Sequence, residues 1–218
     1  MKSKQLGFTL VESAIVLVII GLLLGGVLKG QELIVNAKVK NAVNDMDGVI
    51  TAYNAYIDRY RRTPGDDGPL ATLQARGGAW ANISVAGDGN GALDITAAQT
   101  FTGAGENANF WQHLRAAGFI GGNPALAAAA ALPRNAFGGL TGISAAGVAG
   151  MTGNVVCMSE VPGKAAAAID NQLDDGLPDA VGGSVMATTA VVGANTPPGA
   201  AAAAPYVETA VYTLCRKI

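Results

Sequence analysis

The feature that most constrains this chain is an unbroken apolar run near its N-terminus. Residues 8–28 read FTLVESAIVLVIIGLLLGGVL, and Glu12 is the single charged residue among them. A helix rises about 1.5 Å per residue, so about 20 apolar residues cross the hydrocarbon core of a membrane. The run is long enough to span a bilayer as one helix. Lys2 and Lys4 precede it, and this positive flank favours a cytoplasmic N-terminus with the rest of the chain exported.

A cleaved secretory signal is the alternative explanation of this run. Such a signal is removed after its apolar region at a small-x-small site, whereas Lys29-Gly30-Gln31-Glu32 follows here. The sequence therefore favours a retained helix, in which Glu12 is the unusual residue. A carboxylate inside an apolar span costs roughly 2.5–3.5 kcal/mol on insertion scales. Glu12 either stays at the wet interface or meets a cation, and the amine freed by a cut before Phe8 would be such a cation.

The first residues combine a short basic leader, the pair Gly7-Phe8 and a glutamate at the fifth position from Phe8. Together with the apolar helix they resemble the N-terminus of type IV pilin and pseudopilin precursors, closely over residues 1–64 and more loosely beyond. The resemblance implies that a prepilin peptidase cuts between Gly7 and Phe8 and methylates the new amine of Phe8. It also implies that Glu12 pairs with the N-terminus of a neighbouring subunit. Buried in a fibre, the two charges compensate each other.

The helix is predicted to continue beyond the apolar run. Pro64-Gly65 ends a stretch in which apolar residues recur in steps of three and four, at positions 39, 43, 46, 50, 53, 57 and 60. This predicts one helix over 8–62, whose amphipathic part packs on a sheet of the same chain, with a two-chain coiled coil as the alternative. Glycines at positions 21, 25, 26 and 30 motivate the hypothesis of a bend or a melted turn around residues 21–30, which continuous helical density in an assembled fibre would refute.

The rest of the chain is rich in glycine and alanine and predicts short elements. These are helices over 107–120 and 164–174 and strands over 155–158, 183–188 and 207–214. The predicted fold class is α+β: a long N-terminal helix packed on a small C-terminal antiparallel sheet, which is also the pilin fold. The chain is predicted to have four parts. The leader covers 1–7, and the helix half over 8–30 spans the membrane and forms the filament core. The amphipathic helix half covers 31–63, and the globular head covers 64–218.

Cys157 and Cys215 are the only cysteines. An exported head permits a disulfide, and the even count favours one over two buried free thiols. Such a bridge would stabilise the head by roughly 4 kcal/mol through the entropy of the loop that it closes. The resemblance supports the same pairing, because many pilins tie a C-terminal segment in this way.

The segment around residues 86–97 partly matches a calcium loop. Asp88, Asn90 and Asp94 fall at its third, fifth and ninth places, but alanines stand at the first and twelfth. Asp66 or Asp67 would have to supply further oxygens, and without them the segment is a glycine-rich turn. Some pseudopilins bind calcium in the head, which favours Ca²⁺ as the one cofactor to test.

Other polar groups carry weaker signals. Aspartates between 170 and 179 follow a predicted helix and oppose its dipole, so they require donors, a basic side chain or a cation; a structural role is the first interpretation. His113 is the only histidine and is predicted to be packed or on a helix surface. With two cysteines it gives too few ligands for a zinc site. A net charge of −2 argues against a nucleic-acid partner.

The resemblance implies a structural subunit of a type IV pilus-like filament, and not an enzyme. Its partners would be copies of itself or other pilins, the prepilin peptidase and an inner-membrane assembly platform. The precursor would cross the inner membrane once, with a periplasmic head, and then move to the cell surface. Major pilin, minor pilin and type II secretion pseudopilin remain open, as do roles in adhesion and secretion. Two other classes are a membrane-anchored exported binding protein that does not polymerise and a tethered hydrolase.

Overall fold

The chain is described by a computed structural model over residues 9–145, 150–178, 183–202 and 204–218. It divides into two compact units, Met1–Lys38 and Val39–Ile218. Helix α1 spans Leu10–Tyr60 without interruption, so the described part of the first unit is almost entirely helical. This confirms the predicted long helix, with ends two residues inside the predicted limits. The glycines at positions 21–30 are all helical, and the bend proposed for the assembled fibre stays a prediction.

In the second unit α1 buries one face, but that face is rotated from the predicted one. The buried residues are Val39, Ala42, Met46, Val49, Ala52 and Tyr56, whereas most of the other predicted positions are half-buried. Ala42 and Ala52 are too small to stand out in an apolar pattern, although they let the helix approach its neighbours closely. Tyr56 buries its ring and gives its hydroxyl a partner, Asp67, at 2.8 Å. The apolar pattern therefore predicted that this part of α1 has a buried face, but it did not predict which residues lie at the middle of that face.

Four antiparallel strands form the sheet of the second unit. They are β1 (Thr141–Ser144), β2 (Val155–Pro162), β3 (Val185–Ala190) and β4 (Val211–Lys217), in the spatial order β1-β2-β4-β3. The predicted α+β class with a small antiparallel sheet is confirmed. Within this unit α1 meets the sheet through an ion pair between Asp47 and Arg216, with Oδ1 and Nη1 2.5 Å apart. The hydroxyl of Tyr53 accepts a hydrogen bond from Asn154 at 3.1 Å.

The sequence predicts three of the four strands, and it misses β1. Gly142 interrupts any apolar alternation in β1. A glycine is needed at this position because a Cβ would collide with the backbone carbonyl of Thr100. The predicted third strand, over 207–214, lies too early, because β4 begins only at Val211. Val207 is instead part of a turn, in which Ala210 N–H donates to the Val207 carbonyl at 3.0 Å.

Besides short 3-10 helices, the described part of the second unit has three shorter α-helices: α2 (Leu70–Gln74), α3 (Glu106–Ala116) and α4 (Gly163–Leu173). The predicted helices over 107–120 and 164–174 are confirmed as α3 and α4. All eleven residues of α3 are buried. The helix is closed by Gly118, whose φ of +79° is in the left-handed region that glycine adopts without strain. Because α3 is buried along its whole length, two of its side chains, Glu106 and His113, form hydrogen bonds in the interior of this unit.

Candidate functional site

The N-terminal end of α1 is closed by a reciprocal capping arrangement. The Thr9 hydroxyl and backbone N–H donate to Glu12 Oε2 at 2.7 and 2.8 Å, and the Glu12 N–H donates to Thr9 Oγ1 at 3.3 Å. This is the Thr-x-x-Glu capping box, which satisfies N–H groups that the first helical turn leaves without partners. Thr9 is absent from the residues that the pilin resemblance assigns to assembly, although its spacing from Glu12 signals the motif. In the single chain, Glu12 therefore has a local partner.

The large apolar side chains of the first unit are exposed. From Leu10 to Ile34 their exposed fractions run from 47% to 87%. Such a surface is not stable in water, and it requires lipid or other apolar helices around it. Helix α1 is long and apolar enough to cross a membrane. The predicted processing residues Gly7 and Phe8 lie outside the described residues, so the cut and the methylation that they would undergo stay predictions.

The two cysteines lie directly opposite each other on neighbouring strands. Cys157 of β2 pairs in register with Cys215 of β4, and their sulfur atoms are joined in a disulfide. Both side chains are fully buried. The predicted bridge is therefore present, and it ties together β2 and β4, the two interior strands of the sheet.

The predicted calcium-loop residues form a network in which an amide occupies the central place. Asn90 Nδ2 donates to Asp88 Oδ2 at 3.1 Å and to Asp94 Oδ2 at 2.9 Å. The Asp66 carboxylate, 1% exposed, accepts the backbone N–H groups of Asn90 and Gly91 at 3.0 Å each. The three predicted residues are thus close together, and Asp66 joins them. A positively polarised amide group bridges the two exposed aspartates.

A third carboxylate reaches this loop from the start of α3. Asp66, Asp88 and Glu106 each offer a carboxylate oxygen within 4.8 Å of the others. Glu106 is only 7% exposed, and its Oε2 accepts the Asp94 N–H at 2.8 Å. Burial raises the pKa of Glu106, and the neighbouring charges of Asp66 and Asp88 raise it further. Oxygen ligands of this kind suit Ca²⁺. No sequence signal links Glu106 to the loop, because the fold alone brings it there.

Asp67, the other predicted donor, turns away from the loop. Its Oδ2 accepts the Tyr56 hydroxyl at 2.8 Å and pairs with Arg76 Nη2 at 2.9 Å. Burial, together with the hydrogen bond to Asp67, raises the pKa of Tyr56. Asp67 is thus committed to holding α1 against the segment that follows it, and of the two predicted donors only Asp66 lies in the loop.

His113 is packed inside the second unit, which is the first of its two predicted placements. Its ring lies 6.2 Å from that of Tyr56 and 6.0 Å from that of Trp80, and its Nδ1 accepts the Gly65 N–H at 3.0 Å. Burial lowers its pKa to about 4, so the ring is neutral at physiological pH. These contacts indicate a structural role: His113 packs against Tyr56 near the end of α1 and binds Gly65 just after it.

The apolar segment 8–28 with its single acid and the small disulfide-tied sheet resemble the parts of pilin-like precursors. Residues 2–28 match the family model described as the prokaryotic N-terminal methylation motif, the signature of type IV pilins and pseudopilins. The match includes the Gly7-Phe8 junction and Glu12, so the chain carries that motif. No curated protein and no solved structure gives a significant match to the chain.

Proposed function

We propose that this chain is a structural subunit of a type IV pilus-like filament, made as a prepilin, cleaved after Gly7 and N-methylated at Phe8. The observation that carries the proposal is the methylation motif over residues 2–28, which includes most of an apolar segment with exposed side chains and the single acid Glu12. Under this proposal 1–7 is the leader, 8–30 forms the membrane span and then the filament core, 31–63 is the amphipathic helix half, and 64–218 is the outer head.

The physical logic lies in the first unit. An exposed apolar helix can be covered by lipid before assembly and by the helices of other subunits afterwards. The Glu12 carboxylate is costly in either setting unless a cation lies beside it, and the methylated amine of a neighbouring subunit supplies one. The partners are therefore copies of this chain or other pilins, the prepilin peptidase and an inner-membrane platform. The role is structural and not catalytic, and the head faces the periplasm before the subunit joins a surface filament.

Three substitutions separate the charge of Glu12 from its capping bonds. Glu12→Gln removes the charge and keeps an acceptor that suits the capping box, Glu12→Ala removes both, and Thr9→Val keeps the charge but removes the hydroxyl. We expect both Glu12 variants to insert in the membrane and to lose at least about tenfold in filament yield, given the cost of an unpaired buried charge. Thr9→Val should still assemble. Sheared surface filaments and membrane fractions would be quantified with an antibody to the head.

The outcomes also test the alternatives. If both Glu12 variants form filaments like the wild type, the pairing of Glu12 with a neighbouring amine is wrong. If the wild type itself forms no filament and stays in the membrane, the filament proposal is wrong and a membrane-anchored binding protein is favoured. Filaments confined to the periplasm, together with a secretion defect in the deletion strain, would favour a type II pseudopilin. Mass spectrometry of the N-terminus gives an independent test: we expect a peptide that begins with monomethylated Phe8, and an intact Met1 in surface material would contradict cleavage.

Calcium at the loop of Asp88, Asn90 and Asp94 is a second, separate proposal. Its support is that Asp66 and Glu106 bring the oxygens that the loop itself lacks. To admit Ca²⁺, the Asn90 amide would have to rotate and offer its oxygen in place of Nδ2. We expect Ca²⁺ to slow proteolysis of this loop in the wild type and to have no such effect in Asp88→Asn; equal cleavage with Ca²⁺ and with a chelator would refute the proposal.

A further inference from the structure

A cavity of about 360 Å³ lies within the second unit, beside the C-terminal end of α3. It is lined by residues of α1, α3, the loop after α3, the segment before β1 and the start of β1. Trp111 and Phe119 give it aromatic walls, and its charged residues are Asp45, Arg115 and Arg134. This volume is in the range of about 300–1,000 Å³ that is usual for small-molecule sites. We call this space the α3 cavity.

Arg115 is buried in the wall of the α3 cavity without a partner for its guanidinium group. It is only 8% exposed, and its Nε and Nη1 are buried and form no hydrogen bond within the described residues. Among the ion pairs of the described residues, none includes Arg115. A buried charge without hydrogen bonds or a counter-charge is costly, and native structures contain few such groups. Burial also lowers the pKa of the guanidinium, because the charged form loses its hydration.

The surrounding chain keeps the guanidinium in this position. A Cβ on Gly122 would lie 2.8 Å from Arg115 Nε, and the φ of +120° at Gly122 also favours glycine. Arg115 is in the last turn of α3, where the helix dipole favours a cation. The dipole offsets part of the cost of burial, but it leaves the donors on Nε and Nη1 unused. The fold therefore holds a cation whose donors are free for a ligand.

The other charged groups of the cavity limit what the ligand can be. Arg134 is exposed, and its Nη1 donates to the Gly138 carbonyl at 3.1 Å, so it adds positive charge at the mouth of the cavity. Asp45 is exposed on α1, and its negative charge disfavours a multiply charged anion such as phosphate. A single carboxylate suits the planar guanidinium better, because the two groups can form parallel hydrogen bonds.

We infer that the α3 cavity binds a small organic acid with one carboxylate and an apolar or aromatic body. Arg115 would hold the carboxylate, and Trp111 and Phe119 would contact the body of the ligand. The bound carboxylate would supply the counter-charge and the hydrogen-bond acceptors that Arg115 lacks. This inference does not rest on filament assembly, and the cavity is separate from the acidic loop around Asp88.

The test is a titration of the full chain in detergent micelles with sodium benzoate, followed by the NMR signal of the Trp111 indole group. Benzamide is the matched neutral probe, since it has the same ring without the charge. We expect benzoate to bind saturably and to shift the Trp111 signal. Benzamide should bind at least about tenfold more weakly, because it replaces a charged hydrogen-bond acceptor with a neutral one.

Substitutions assign the binding to the guanidinium. Arg115→Gln should weaken benzoate binding at least about tenfold, and Arg115→Lys, which keeps the charge without the planar donors, should have an intermediate affinity. Arg62→Gln is the matched control at an exposed position outside the cavity, and it should leave the affinity unchanged. Asp45→Asn keeps the test valid if neither Arg115 variant folds. Because it removes a negative charge near the bound carboxylate, benzoate should bind about threefold more tightly.

Equal affinities for benzoate and benzamide, or no saturable binding of benzoate, would overturn the inference. Unchanged binding in Arg115→Gln would do the same, as would unchanged or weaker binding in Asp45→Asn. If Arg115→Gln abolishes association between copies of the chain and leaves benzoate binding unchanged, the cavity instead receives an acidic side chain of a second copy, and the inference is wrong.

Discussion

At the scale of single residues, burial decides the protonation state of His113. The neutral ring accepts the Gly65 N–H through Nδ1, and a protonated ring would lose this acceptor and carry an unpaired charge into the interior. Burial lowers the pKa from 6.5 to about 4 in the folded chain. In the unfolded chain the ring takes up a proton at the higher value. His113 therefore makes the folding free energy depend on pH.

We expect His113 to destabilise the fold as the medium becomes acidic. Because the folded pKa lies below the unfolded one, the unfolded state binds more protons between them, and stability falls as pH drops from about 6.5 through about 4. The loss attributable to this residue is about 3 kcal/mol at the acid end, from 1.36 kcal/mol per pKa unit. Urea unfolding at several pH values would measure it. His113→Asn, which cannot titrate, should be less stable at pH 7 but show a shallower decline; an equal slope would contradict the assignment.

At the scale of secondary-structure elements, the disulfide fixes β4 in the middle of the sheet. Cys157→Ala/Cys215→Ala should lower the free energy of unfolding by about 4 kcal/mol, the loop-closure entropy for a separation of 58 residues. Chemical denaturation of the full chain in detergent without reductant would measure the difference. The reduced wild type provides the control, since it keeps both sulfur atoms but lacks the bond. If the double variant and the oxidised wild type unfold at the same denaturant concentration, the bridge adds no stability.

The same scale shows how much the sequence can predict. Helix α1 can be predicted from the sequence because one apolar run and one periodic apolar stripe together cover its length. Its prediction requires no knowledge of tertiary contacts. Strand β1 cannot be predicted in this way. Its Gly142 is needed because the backbone of Thr100 lies against it, and this contact exists only in the folded chain. Candidate sites divide in the same way. Asp88, Asn90 and Asp94 are close in the chain and are predicted together, whereas Glu106 reaches their loop from helix α3, and no local sequence pattern predicts this contact.

At the scale of the whole molecule, the basic leader and the disulfide together give a test of how the chain is oriented across the membrane. If Lys2 and Lys4 hold the N-terminus in the cytoplasm, Cys157 and Cys215 are exported and oxidised, so thiol reagents should label them only after reduction. Lys2→Glu/Lys4→Glu should raise the fraction of precursor with free, labelled thiols severalfold. Arg62→Glu/Lys164→Glu makes the same charge change at two exposed positions and should leave labelling unchanged. Mass-shift alkylation on gels gives the readout, and unchanged labelling in the leader variant would contradict the proposed topology.

The strand order has a consequence for the timing of synthesis. Strands β2 and β3 do not pair with each other, because β4 lies between them although it comes later in the chain than both. While a ribosome is still adding residues before Val211, these two strands have unpaired edges and Cys157 has no mate. The β2–β4 and β3–β4 pairs can form only after residues 211–217 have been made, whereas β1 can pair with β2 before then. A chain cut before Val211 would therefore lack both the disulfide partner of Cys157 and the strand that joins β2 to β3.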